Sequence, residues 1–153
     1  MLEFLHFLAI AHRNTYAAPK DIKVKYKIHP FLPAHECYNF KIGDWEYFDG
    51  FAGKHWTPGR EVVLLKGVPY WAMSYQGKTV GDEHLEQAFD FLKLALRNFD
   101  DKSPFRGPSY FQDGEFEYFF EMEGTYEYFT GRESIKHNGK EIFFQNVMGE
   151  LIK

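Results

Sequence analysis

Two stretches of this chain share one layout, and that correspondence constrains the fold more than any other feature. "GREVVLLKGVPYWAMSYQG" (59–77) and "GRESIKHNGKEIFFQNVMG" (131–149) both open Gly-Arg-Glu, with a β-branched residue four positions after the first glycine. Further glycines follow eight and eighteen positions after it in both. The match extends upstream in the same order. "WEYFDGFAG" (45–53) aligns with "FEYFFEMEG" (116–124), the hairpin dipeptides Gly43-Asp44 and Asp113-Gly114 precede them, and "FLAIAHRN" (7–14) and "FLKLALRN" (91–98) both fit FLxxAxRN. Matching blocks in one order predict an internal duplication of one helix followed by three or four antiparallel strands. The expected class is α+β, with units of about 2–80 and 81–153 related by a pseudo-twofold axis and helices packed on antiparallel sheet.

The chain's 153 residues are enough for one domain, expected to span 1–153, with a core that needs no covalent staples. Aromatic residues make up 20% of it, including 17 Phe, which favours a packed sheet or a ring-lined groove over disorder. A lone cysteine, Cys37, forms no internal disulfide, and a cytoplasmic setting is expected. The net charge of −4, without a basic cluster, argues against a nucleic-acid surface. "MLEFLHFLAIA" lacks a positive leader, is interrupted by Glu3 and His6, and is too short to span a bilayer, so it reads as an amphipathic helix. No membrane partner is expected, and a homodimer stays open.

A second helix is predicted from Asp82, its N-cap, because Leu85, Ala88, Phe89, Leu92, Ala95, Leu96 and Phe99 follow helical spacing. "DIKVKYKI" (21–28) alternates Ile22, Val24, Tyr26 and Ile28 with lysines, the pattern of a protected edge strand. A Pro-bracketed loop, "HPFLPAHEC" (29–37), follows it. His35 and Cys37 there have no second ligand pair, so no metal site is assigned.

Strand period assigns the faces. Phe116, Tyr118, Phe120 and Met122 share one face and Glu115, Glu117, Glu121 and Glu123 the other, a half-buried strand. The corresponding inner face of the first copy holds Trp45, Tyr47, Asp49 and Phe51, so Asp49 stands where the second copy has a ring. A carboxylate on a dry face sits at a rim, finds a donor, or serves a site. Glu61 and Glu133 likewise share faces with apolar neighbours, either as strand-entrance residues or as a carboxylate pair in a groove. In "YWAMSY" (70–75) both faces are partly apolar, which predicts a central strand; its Trp71, Met73 and Tyr75 are core residues or a ligand platform. Arg106, in the Pro-Phe-Arg-Gly-Pro turn, is either a surface residue or a guanidinium presented to a carboxylate or phosphate.

No phosphate loop, HExxH, CxxC or GxSxG elbow occurs, and no cofactor is expected. The blocks "GDWEYFDGFAG", "GREVV", "GVPYWAMSYQG", "PFRGP", "GEFEYFF", "YFTGRESI" and "NGKEIFFQNVMG" resemble an uncharacterised bacterial domain found alone or behind a helix-turn-helix DNA-binding segment. The resemblance implies a ligand-sensing context and brings no catalytic residue. The first helix here is expected to belong to the repeat and not to a DNA-binding head.

Two functions follow from the residues. The first is a non-catalytic, sensor-like module whose aromatic cleft, built from Trp45, Tyr47, Asp49, Glu61, Trp71, Met73, Tyr75, Arg106 and Glu133, holds a small cationic or amine-bearing molecule. The alternative is a small enzyme using Glu61, Glu133 or Asp49 as acid and base in the same cleft.

Overall fold

A computed structural model describes residues 2–81 and 83–153. Asp82, the expected N-cap of the second helix, lies outside the described residues. The elements run α1 (Leu2–Asn14), α2 (Lys20–Lys23), β1 (Lys27–Ile28), β2 (Glu36–Ile42), β3 (Trp45–Phe51), β4 (Gly59–Leu65), β5 (Val68–Thr79), α3 (Leu85–Leu96), β6 (Tyr110–Asp113), β7 (Phe116–Thr125), β8 (Tyr128–His137) and β9 (Lys140–Leu151). The strands form one nine-stranded sheet in the order β1-β2-β3-β4-β5-β9-β8-β7-β6, and every pairing is antiparallel.

This overturns the expected α+β class. Helix accounts for 19% of the chain, and the protein is predominantly β. The two halves share one core, because packing crosses the boundary between residues 80 and 81. Phe4 of α1 touches Trp45, Tyr70 and Trp71, but also Tyr126 in the second half. Trp71 stacks on Phe105 and Phe129. The sheet itself is continuous through the β5–β9 seam, where Tyr75 faces Val147.

Local chemistry explains the strands. The β4–β5 hairpin turns on Lys66-Gly67 and the β8–β9 hairpin on Asn138-Gly139, with φ of 53°, 77°, 50° and 79° respectively. Two consecutive left-handed residues give the turn whose twist matches that of flanking strands. Strand alternation then buries Tyr118 and Phe120 and leaves Glu121 exposed, as the period predicts.

Residues 21–28 are a second correction. Only Lys27 and Ile28 pair with β2, while the amides of Ile22 and Lys23 donate to the Pro19 carbonyl and start a single helical turn. Pro19 fixes a helix-compatible φ, and this local start overrides the alternation of Ile22 and Val24.

The core lies between the sheet and the helices. Phe4, Phe7, Leu8 and Ala11 of α1 and Ala88, Phe91, Leu92 and Ala95 of α3 are buried with Tyr47, Val63, Trp71, Met73, Tyr118, Ile135 and Phe143 of the sheet. No helix among the described residues is long and apolar enough to cross a membrane.

Candidate functional site

The same inner face that carries the core also carries a run of polar side chains, and they converge. Asp49 and Glu61 are direct cross-strand partners on β3 and β4, and Glu133 and Gln145 are partners on β8 and β9. Asp49, Glu61, Glu133, Gln145 and the loop residue Arg106 are all buried. No buried side-chain nitrogen or oxygen among the described residues lacks a hydrogen-bond partner.

Glu133 is the anchor. Its carboxylate accepts from Arg106 Nη2 at 2.6 Å and Nε at 3.1 Å, from the Tyr118 hydroxyl at 2.6 Å and from Gln145 Nε2 at 2.7 Å. Thr57 extends the network by donating to Gln145 Oε1 at 3.3 Å. The Arg106 loop is pinned from both sides. Phe105 packs 4.7 Å from the Phe129 ring centroid, and the Gly107 amide donates to the Tyr118 oxygen at 3.0 Å. A Cβ on Gly107 would lie 2.6 Å from the Tyr118 ring, so only glycine permits this approach. Burying an ion pair offsets its desolvation only with good geometry and saturated lone pairs, and both conditions hold here.

The other end of the guanidinium faces Glu61. Arg106 Nη1 lies 3.8 Å from Glu61 Oε1, and His12 Nε2 of α1 is hydrogen-bonded to Glu61 Oε2 at 2.8 Å. The Arg106 guanidinium also sits 5.3 Å above the Tyr75 ring. One arginine thus links the two glutamates that the Gly-Arg-Glu motifs supply.

Asp49 is different. It is 2% exposed, accepts one side-chain hydrogen bond, from Tyr75 at 2.7 Å, and has no cationic partner within ion-pair distance among the described residues. Burial first and the Glu61 carboxylate second push its pKa up to about 8, against the smaller opposing effects of Tyr75 and Arg106. Burial beside Glu61 thus favours the protonated form of the Asp49 carboxyl. Burial likewise pushes the Tyr47 and Tyr75 phenols well above their usual range, so both stay protonated donors.

These groups border a cavity of about 560 Å³. Its polar floor includes His12, Tyr47, Asp49, Glu61, Tyr75, Arg106 and Gln145, its apolar walls include Phe51, Phe89, Leu92, Leu96 and Phe99, and Tyr16, Lys23, Lys54 and Lys93 also line it. The size suits a small organic molecule, with polar groups fixing orientation and rings supplying contact area.

Of the residues singled out by sequence, Tyr47, Asp49, Glu61, Tyr75 and Arg106 line this cavity. Glu133 lies behind Arg106 at 0% exposure and is saturated by the network. Trp45, Trp71 and Met73 are elsewhere. Trp71 and Met73 are buried core residues, with the Trp71 indole donating to the Tyr126 carbonyl at 3.1 Å. Trp45 packs against Phe7 and Tyr70 beneath α1. All three project from the inner face, but Phe4 and Phe7 of α1 cover Trp45, Phe4 covers Trp71, and Met73 is buried in the core. Cys37 is buried, and the His35 ring bonds the Pro33 carbonyl.

Sequence reasoning missed His12, Tyr16, Thr57, Tyr118 and Gln145. Gln145 was detectable, since it alternates with Phe143 and Val147 on the inner face of β9, the same anomaly that marks Asp49. His12 and Tyr16 carry no such signal, because only the packing of α1 over β3 brings them to the cavity.

A family model described as a domain of unknown function, DUF5680, matches residues 49–152. No curated protein and no solved structure matches the chain.

Proposed function

The chain belongs to the DUF5680 family, and we propose that it is a non-catalytic, sensor-like binding domain whose cavity takes a small amine-bearing molecule. The observation that carries this reading is Asp49, a buried carboxyl in the cavity wall that bonds a phenol and no cation. Bringing an ammonium group to Asp49 supplies the missing counter-charge and favours the ionised form. The Tyr47 and Tyr75 side chains line the same cavity and supply ring contact area beside Asp49. Arg106 does not compete for Asp49, because Glu133 holds it in a bidentate grip. A cytoplasmic setting is part of the proposal, supported by the single unpaired Cys37.

Calorimetric titration with n-hexylamine at pH 7, in two buffers of different ionisation enthalpy, tests it. Binding is expected to expel the Asp49 proton, so the apparent enthalpy changes with the buffer in proportion to close to one proton released. Asp49→Asn is expected to abolish the proton release and most of the affinity. Failure of primary and quaternary amines alike to bind would overturn the reading.

A second reading is favoured by one observation, the direct juxtaposition of Asp49 with Glu61. A carboxyl held neutral beside a hydrogen-bonded glutamate is the arrangement of a general acid and a general base. An acid–base enzyme would use these two and not Glu133, whose lone pairs are occupied. Turnover lost in both Asp49→Asn and Glu61→Gln, with substrate binding retained, would select it.

A further inference from the structure

Resting on the amine reading of the cavity, we infer that the ligand is zwitterionic, with its ammonium end at Asp49 and an anionic end, carboxylate or phosphate, between Lys23 and Lys93. Tyr16 organises the second end. Its ring packs edge-on against Phe51 at 5.0 Å, and two amines lie near its centroid, Lys23 Nζ at 5.7 Å and Lys93 Nζ at 5.9 Å. These lysines come from α2 and α3, so the ring brings two cations from separate elements to one wall of the cavity.

The lysines are not neutralised equally. Lys93 has Asp90 at 3.5 Å, whereas Lys23 has no carboxylate within ion-pair distance among the described residues and only a long contact, 3.4 Å, to the Tyr16 carbonyl. Glu36 also lines the cavity, but its carboxylate is already bonded to Lys27 at 3.1 Å and to the Tyr38 hydroxyl. Partial burial, and then the neighbouring Lys93 charge, hold the Lys23 amine below its usual range. An anion at this point relieves that repulsion. Tyr16 also lines the cavity, and burial keeps its hydroxyl protonated.

The cavity walls combine an apolar part with the polar side chains of Thr15, Thr57, Lys54, Glu86 and Asp90. Phe51, Phe89, Leu92 and Phe99 border the cavity, which suits a methylene or ring spacer. The ligand class is accordingly an ω-amino acid or an aminoalkyl phosphate.

The experiment compares n-hexylamine, 6-aminohexanoate, 6-aminohexyl phosphate and hexanoate by calorimetry on the full chain, wild type and Lys23→Gln/Lys93→Gln. Wild type is expected to bind at least one zwitterion ten-fold or more tightly than hexylamine, and to bind hexanoate weakest. The stronger of the carboxylate and the phosphate identifies the anion. In the double variant the zwitterion advantage is expected to fall to near unity. Hexylamine binding as tightly as both zwitterions, or an advantage that survives loss of the lysines, overturns this inference while leaving the amine reading intact. If no amine binds, both fall.

Discussion

Tyr75 reaches Asp49 across a strand that lies between them. Tyr75 is on β5 and Asp49 on β3, yet the phenol donates to the carboxyl at 2.7 Å because the β4 residue beneath the ring is Gly59. A Cβ there would lie 2.1 Å from the Tyr75 ring. The first glycine of the first Gly-Arg-Glu motif is thus the passage that completes the cavity floor.

Gly59→Ala is expected to destabilise the fold by about 1–3 kcal/mol through overpacking and to break the Tyr75–Asp49 bond. In a double-mutant cycle with Tyr75→Val, urea denaturation should show the alanine costing much less once the ring is gone, a coupling of about 1 kcal/mol or more. Additive effects would mean that the ring does not depend on the glycine.

Asp49 sets a pH dependence with a definite sign. Its pKa is raised from 3.8 to about 8 on folding, so the folded chain holds a proton that the unfolded chain has released across that interval. The contribution is fully present below about pH 4 and is lost as the pH rises through about 8. Denaturation from pH 5 to pH 9 should show Asp49→Asn gaining on wild type as the pH rises, with the gap levelling off above the folded pKa.

Removing the Tyr75 hydroxyl acts in the same direction. That bond favours the ionised carboxyl, so Tyr75→Phe is expected to raise the Asp49 pKa further. Carboxyl-selective NMR titration reads the shift directly, and a downward move would contradict the assigned donor.

Arg106 and Glu133 should behave as one unit. Arg106→Met leaves a fully buried carboxylate without its cation and is expected to cost about 3–5 kcal/mol. Adding Glu133→Gln should recover part of that loss, because the remaining group no longer needs a counter-charge. Arg106→Lys is expected to fall well short of wild type, since one ammonium cannot reproduce the bidentate contact.

Trp71 tests the boundary between core and cavity. Trp71→Phe removes the indole bond to the Tyr126 carbonyl and is expected to cost about 1 kcal/mol with ring packing largely kept. Amine affinity measured on the same variant should stay within about three-fold of wild type. A large loss of affinity would move Trp71 into the site.

Periodicity alone revealed that Asp49, Glu61 and Glu133 point inward, because a strand can turn a side chain in only two directions. The dipeptides Gly43-Asp44 and Asp113-Gly114 likewise marked regions where the backbone turns. Periodicity did not reveal the class, because helix spacing shows that a helix exists, not how much of the fold depends on it, and one continuous sheet shares its core across the chain. Nor could it separate Trp71 from Tyr75, which alternate on the same strand and face alike. Only tertiary packing divides that face, with α1 covering Trp45 and Trp71, Met73 buried in the core, and the space beside Tyr16 leaving Tyr47, Asp49 and Tyr75 lining a cavity. The convergence of His12, Arg106 and Glu61, from a helix, a loop and a strand far apart in the chain, was likewise decided in three dimensions. Local spacing fixes orientation; which groups share one buried volume depends on how distant segments fill it.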